Sequence, residues 1–233
     1  MSEGALEDLE REIISCRRCP RLVAWREEVA RVKRAAFATE EYWGRPLPSF
    51  GDPRARVVVV GLAPASHGGN RTGRIFTGDR SGDWLFAALH RAGFANQPLS
   101  RSRDDGLRLT DCWVAAAVRC APPANKPTPV ERDTCLPYLD RELGLLSEAR
   151  VVVCLGLFAW DAMLRVRSDQ VTRPRPKFGH GAHAYVGRFT LLGCYHPSQQ
   201  NTFTGRLTEP MMDAVFGRAR QIAADSQSMP TTE

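Results

Sequence analysis

The chain has 233 residues, 43% of them hydrophobic, enough for one substantial core and too apolar for disorder throughout. Its 32 Lys and Arg against 26 Asp and Glu leave a net charge of +6, which suits a polyanionic partner without requiring one. No apolar run approaches the roughly 18 residues of a membrane span, and the polar, acidic start does not read as a secretory signal. The seven cysteines are therefore expected in a reducing cytoplasm, as free, catalytic or metal-bound thiols rather than disulfides.

Helical periodicity runs from Leu6 to Ala36, broken at SCRRCPR, where Pro20 suits the first turn of a second helix. A Pro- and Gly-rich connector, YWGRPLPSFGDP, leads to RVVVVG, a strand buried on both faces as in a parallel sheet. SGDWLFAALHRAGF reads as a helix capped by Ser81, and DCWVAAAVRC as a second strand. A helix begins after Pro129, with Pro137 disturbing its early part. RVVVCLG is a third strand followed by the helix LFAWDAMLRV; RFTLLGCYHPS is a fourth, and LTEPMMDAVFGRARQIAAD a last helix. Strands alternating with helices predict a three-layer α/β/α fold around a central four-stranded, mainly parallel sheet. Residues 1–222 are expected to form one domain and 223–233 a mobile tail, its last residues SQSMPTTE lacking any apolar pattern.

Ligands of such sheets bind beyond the carboxyl ends of the strands. The first strand end, GLAPASHGGNRTGRIFTGD, has the outline of a phosphate cradle without its substance. No Lys follows the glycines, G-x-G-x-x-G is missing, and Pro64 removes a backbone donor. What remains is a tight apolar strand end, Gly61 to Ala65, fit for a flat ligand, then a stretch mixing Asn70, Arg71, Arg74, Phe76 and Asp79.

Cys16 and Cys19 form C-x-x-C, while Cys120 and Cys135 lie far downstream. A zinc ribbon would present a second tight knuckle. One close pair plus two dispersed thiols suits an iron–sulfur cubane, with zinc as the alternative. Cys112, Cys154 and Cys194 sit in apolar strands and read as core.

Together these motifs, with RCAPPANKPTP and HPSQQNTFTG, resemble the family 5 uracil-DNA glycosylases, the iron–sulfur branch of their superfamily, over roughly Cys16 to Met212. The resemblance implies a uracil-DNA glycosylase-like fold. It implies hydrolysis of the N-glycosidic bond of uracil, and of other deaminated bases such as hypoxanthine, in double-stranded DNA, leaving an abasic site for base excision repair. Gly61, Leu62 and Ala63 match the first-motif loop, where related branches carry a catalytic polar side chain that is absent here. Asp79 matches the acidic residue proposed to take over, and Phe76 the ring that stacks on the extruded base. Asn125 matches the amide that reads the base edge, and His196 the histidine that contacts uracil O2. Pro197, Ser198, Gln199, Gln200 and Asn201, through to Gly205, match a loop entering the minor groove. Cys16, Cys19, Cys120 and Cys135 match the ligands of a structural [4Fe–4S] cluster.

The chemistry is coherent on its own terms. Departure of the base needs a donor at its oxygen and an anion or oriented water near the sugar. Arg71, Arg74 and Arg206, with Lys126, are candidate phosphate contacts. No lysine other than Lys126 falls within the motifs, so a Schiff-base lyase is not expected. The protein is expected to act as a monomer in the cytoplasm, at the nucleoid. Two alternatives stay open: a lesion binder that has lost turnover, and an iron–sulfur redox or sensor protein.

Overall fold

The computed structural model describes residues 2–225. Ser226 to Glu233, most of the expected tail, lie outside the described residues. The sheet has six strands in the order β1-β3-β2-β4-β6-β5. They are β1 (Phe50–Gly51), β2 (Val57–Gly61), β3 (Cys112–Ala116), β4 (Val151–Leu155), β5 (His183–Val186) and β6 (Phe189–Cys194). β2, β3, β4 and β6 are the expected parallel quartet. The two unexpected strands are both antiparallel edges. β1 is a two-residue piece of the Pro/Gly connector, and β5 alternates exposed and buried residues, so neither shows the continuous apolar run of the central strands.

The helices are α1 (Ser2–Ser15), α2 (Pro20–Val32), α3 (Gly69–Thr72), α4 (Arg80–Arg91), α5 (Pro129–Leu145), α6 (Leu157–Val166), α7 (Gln199–Phe203) and α8 (Glu209–Asp225). α5 starts on a capping box of Thr128 and Glu131 and runs through Pro137. α4 is capped by Asp79, two residues before the expected Ser81, because the Asp79 carboxylate accepts from the Gly82 amide at 3.0 Å. α8 ends at Asp225, the last residue of the expected helix, so the first three residues of the expected tail are helical.

Alternation along the strands divides the core in two. Val57 and Val59 face α4 and α8, while Val58 and Val60 face α5 and α6, with Leu6 of α1 joining that side. Cys112, Cys154 and Cys194 are fully buried, as small core residues should be. No helix among the described residues is long and apolar enough to cross a membrane.

One charged pair is sealed between layers. Arg119 and Glu142 meet at 2.6 Å with side chains 1% and 4% exposed, and Ser49 also accepts from Arg119. Removing one partner strands the other charge. Glu142→Leu is expected to cost about 3–5 kcal/mol, and the double variant Arg119→Met/Glu142→Leu to regain most of it. Urea denaturation of both variants checks this; equal losses in the two would refute it.

Candidate active site

The parallel strands release their loops along one edge. Beyond β2 and β3 the pairing continues, with Ala117 N donating to Gly61 O and Val118 N to Leu62 O, both at 3.0 Å. Gly156, after β4, donates to Cys194 O at 2.8 Å, and its φ of +92° is one only glycine adopts easily. An alanine Cβ there would lie 3.4 Å from His196 Cβ.

On this edge Phe76 and His196 face each other, and Asp79 is fixed on the loop that carries Phe76. The Phe76 ring lies on Gly61, where an alanine Cβ would come within 2.6 Å of it. The space at Gly61 expected for ligand is thus taken by Phe76. His196 faces Phe76 at 6.0 Å between ring centroids, tilted by 35°. Phe76 holds φ +54°, an uncommon conformation for a bulky residue. Its backbone carbonyl fills the space beside Gly82, so the first turn of α4 is pressed onto it. Asp79 Oδ2 sits over Gly68, where any side chain would strike the carboxylate.

Burial moves the two titratable groups in opposite directions. It lowers the His196 pKa to about 4, so the imidazole is neutral at pH 7. It raises Asp79 above the ordinary carboxylate value, partly offset by the amides of Gly82 and Ser81.

Asn125 comes from the loop after β3. It ends a 3-10 turn, Pro123–Asn125, on the exposed surface, with φ +55° after Ala124 at +52°. Its amide N–H bonds Pro122 O at 3.2 Å, and among the described residues its side chain joins no hydrogen bond to Asp79 or His196. Ala63, also expected at the ligand, packs toward the cysteines with Leu22, Val118 and Cys120.

The loop after His196 is partly internal. Pro197 is buried, Gln199 and Gln200 are exposed, and Ser198 stands at the N-cap position of α7 without a side-chain cap bond. Asn201 is a brace rather than a free contact, since its Nδ2 donates to His196 O at 2.8 Å. Arg206 is exposed and lies over the Tyr195 ring at 4.7 Å.

Two expected phosphate contacts are corrected. Arg74 is 6% exposed and spends its donors inside the fold, on Thr77, Ser100, Arg103 O and Asp105. Arg71 donates to His67 O at 2.8 Å and Gly78 O at 3.1 Å, pairs with Glu40, and stacks on Phe37. Both arginines knit the loop that carries Phe76 and Asp79. The sequence reading passed over Phe203, which is 65% exposed on α7 with Arg80 stacked on its ring at 4.5 Å. An aromatic residue in the polar run QQNTFTG was the available signal.

Cys16, Cys19, Cys120 and Cys135 line one narrow cavity between α2, the β3 exit and α5. No three His, Cys, Asp or Glu among the described residues gather as the ligands of a single ion would. The donor set fits a larger thiophilic group. Arg26 is buried and donates to Cys120 Sγ at 2.9 Å, and the Arg119 amide donates to Cys135 Sγ at 3.3 Å. The Arg26 Nε has no partner, and its nearest carboxylate, Glu27 at 3.8 Å, is engaged by Arg17. Burial pushes Cys120 and Cys135 up to about 11 and about 12, so as free thiols they would leave the Arg26 charge uncompensated. Thiolates on a metal group would compensate it.

The parallel strand exits thus carry a neutral histidine facing an aromatic ring, with a largely desolvated carboxylate on the loop that bears the ring. Residues 48–220 match the uracil-DNA glycosylase superfamily, and the chain belongs to it. It is 56% identical over 222 residues to the type-5 uracil-DNA glycosylase of Mycobacterium tuberculosis, covering 94% of this chain and 82% of the relative. The type-5 enzyme of Thermus thermophilus is 52% identical over 212 residues, 91% of this chain and 95% of its own. That of Pyrobaculum aerophilum is 44% identical over 223 residues, 96% and 94%. Within the superfamily, the chain is a member of the type-5 branch.

Gly68→Ala should displace the Asp79 carboxylate and weaken its cap on α4, costing about 0.5–2 kcal/mol. The thermal midpoint should fall by about 2–4 °C for each kcal/mol lost. An unchanged melting curve would remove the claim that Asp79 needs this glycine.

Proposed function

We propose that this protein is a monofunctional DNA glycosylase that removes uracil, and other deaminated bases such as hypoxanthine, from double-stranded DNA. The meeting of Phe76 and His196 on the Gly61 floor, in a member of the type-5 branch, carries this reading. A stacked base is out of reach, so the nucleotide is first extruded at a cost of a few kcal/mol. Phe76 offers the base a face. Neutral His196 donates to O2 as the C1′–N1 bond breaks and the electron pair moves onto the base. Asp79 faces the positive charge left on the sugar and takes a proton from the water that adds at C1′. Its raised pKa makes it a better base than an ordinary carboxylate. Asn125 pairs with the imide edge, and Gln199, Gln200, Arg206 and Phe203 meet the duplex. The base anion takes up a proton from solvent, Asp79 releases the one it accepted, and the products are the free base and an abasic site.

Of the chain's lysines, Lys33, Lys126 and Lys177, only Lys126 adjoins a site residue; no Schiff-base nicking is expected, and borohydride trapping of a covalent enzyme–DNA adduct would overturn this. Alkaline cleavage of a uracil-containing duplex after incubation with the protein tests the activity. A tight complex without product would support the lesion-binding alternative.

Asp79 must be ionised to act, so excision should fall as pH drops through its raised pKa, while His196 stays neutral until about pH 4. Asp79→Asn is expected to lower single-turnover excision about 10²–10³-fold and to abolish that acid limb. His196→Ala should lose as much rate but keep the limb. Rate–pH profiles of both variants decide it, and an acid limb surviving in Asp79→Asn would end the assignment.

The same reading assigns Cys16, Cys19, Cys120 and Cys135 to a [4Fe–4S] cluster that clips α1 and α2 to the sheet. The support is the buried cation Arg26 beside four thiols on one cavity. Purified protein is expected to contain iron and labile sulfide in equal amounts, both lost in Cys16→Ala. Zinc in their place would refute the cluster.

A further inference from the structure

His180, in the stretch FGHGAH at residues 178–183, touches the backbone immediately before His196. The β6 ladder ends at Cys194, so the Tyr195 amide has no strand partner. It donates instead to His180 Nδ1 at 3.2 Å. An amide is a donor only, so Nδ1 is unprotonated and the ring proton sits on Nε2. That nitrogen donates to Met211 O, at the start of α8, at 3.2 Å. The His180 ring also packs on Tyr195 at 5.1 Å between centroids. Its own loop is pinned to β6, with Gly181 N donating to Gly193 O and Gly193 N to Ala182 O, both at 2.8 Å. Gly193 has no room for a Cβ against Gly179 O. From the other side, Asn201 holds the His196 carbonyl. The His196 backbone is thus gripped before and after the residue.

We propose that His180 is a positioning residue: through the Tyr195 amide it fixes the backbone that aims the His196 imidazole. Its consequence for base excision rests on the glycosylase reading; its effect on His196 does not. His180→Asn keeps an acceptor near the Nδ1 position, His180→Gln keeps only the reach toward Met211, and His180→Ala keeps neither. Two readouts are needed. One is the rate at which diethyl pyrocarbonate modifies His196 without DNA, located by mass spectrometry. The other is single-turnover excision beside duplex affinity. In His180→Ala, His196 should be modified several-fold faster. Excision should drop about 10-fold or more at nearly unchanged affinity, within the ~10²-fold that a misplacement of about 1 Å costs. His180→Asn should restore both values and His180→Gln neither. Unchanged His196 modification in folded His180→Ala, or equal behaviour of the Asn and Gln variants, would overturn the proposal. If His180→Ala does not fold, the Asn and Gln pair decides. Faster modification of His196 in a protein whose wild type excises nothing would sink the glycosylase reading and leave the positioning role standing.

Discussion

The register of β2, β3, β4 and β6 determines where every group of the site stands. Gly61 lies beside Ala116, Val60 beside Cys154, and Leu155 beside Cys194, so the four parallel strands end nearly level. Hydrogen bonds extend this pairing into the loops, at Ala117, Val118 and Gly156. Residues far apart in sequence are therefore delivered to one edge by backbone pairing, before any side chain of the site makes a contact. The valine-rich strands make this register rigid, because both faces are buried and a slip of one residue would exchange the two cores.

Close approach is the second requirement, and glycine supplies it. Gly61 admits the Phe76 ring, Gly68 the Asp79 carboxylate, and Gly82 the Phe76 carbonyl. The loop between β2 and α4 folds back on itself through these three contacts. Arg71 and Arg74 then tie it from within, using donors that a nucleic-acid reading had assigned to phosphates. Phe76 is held at positive φ by this packing, a strain of about 1–3 kcal/mol of the kind that surrounding structure sustains at functional sites. Asn125, also at positive φ, sits on a turn of its own.

These contacts mark the boundary of what the sequence disclosed. The central strands and α6 were legible because buried parallel strands read as unbroken apolar runs and the helix has clear periodicity. β1 and β5 were not, since a two-residue edge and a half-exposed hairpin strand look like loop. The glycines at 61, 68 and 82 were visible, but their purpose was not: a glycine kept for a neighbouring side chain is indistinguishable, in one sequence, from one kept for a ligand. Arg74 misled for a related reason. An arginine in a polar loop has the same signature whether it meets phosphate or is buried against Ser100 and Asp105. The cysteines show the reverse case, in which four dispersed thiols share one cavity that only their chemistry linked beforehand.

Desolvation ties the site's two titrating groups together. The same burial that keeps His196 neutral also raises Asp79, so each is displaced toward its uncharged form. A neutral imidazole donates to a developing anion without first carrying a charge that would have to be neutralised on binding. A carboxylate whose ionised form is disfavoured by burial, and supported by two helix amides and the Arg71 charge, gains most when positive charge appears beside it. Both effects strengthen as water is excluded, because the interactions of a charge with its neighbours grow as the local dielectric falls. On the proposed reading, a base extruded onto this edge would exclude water from both groups, so binding itself would complete the electrostatic environment that cleavage requires.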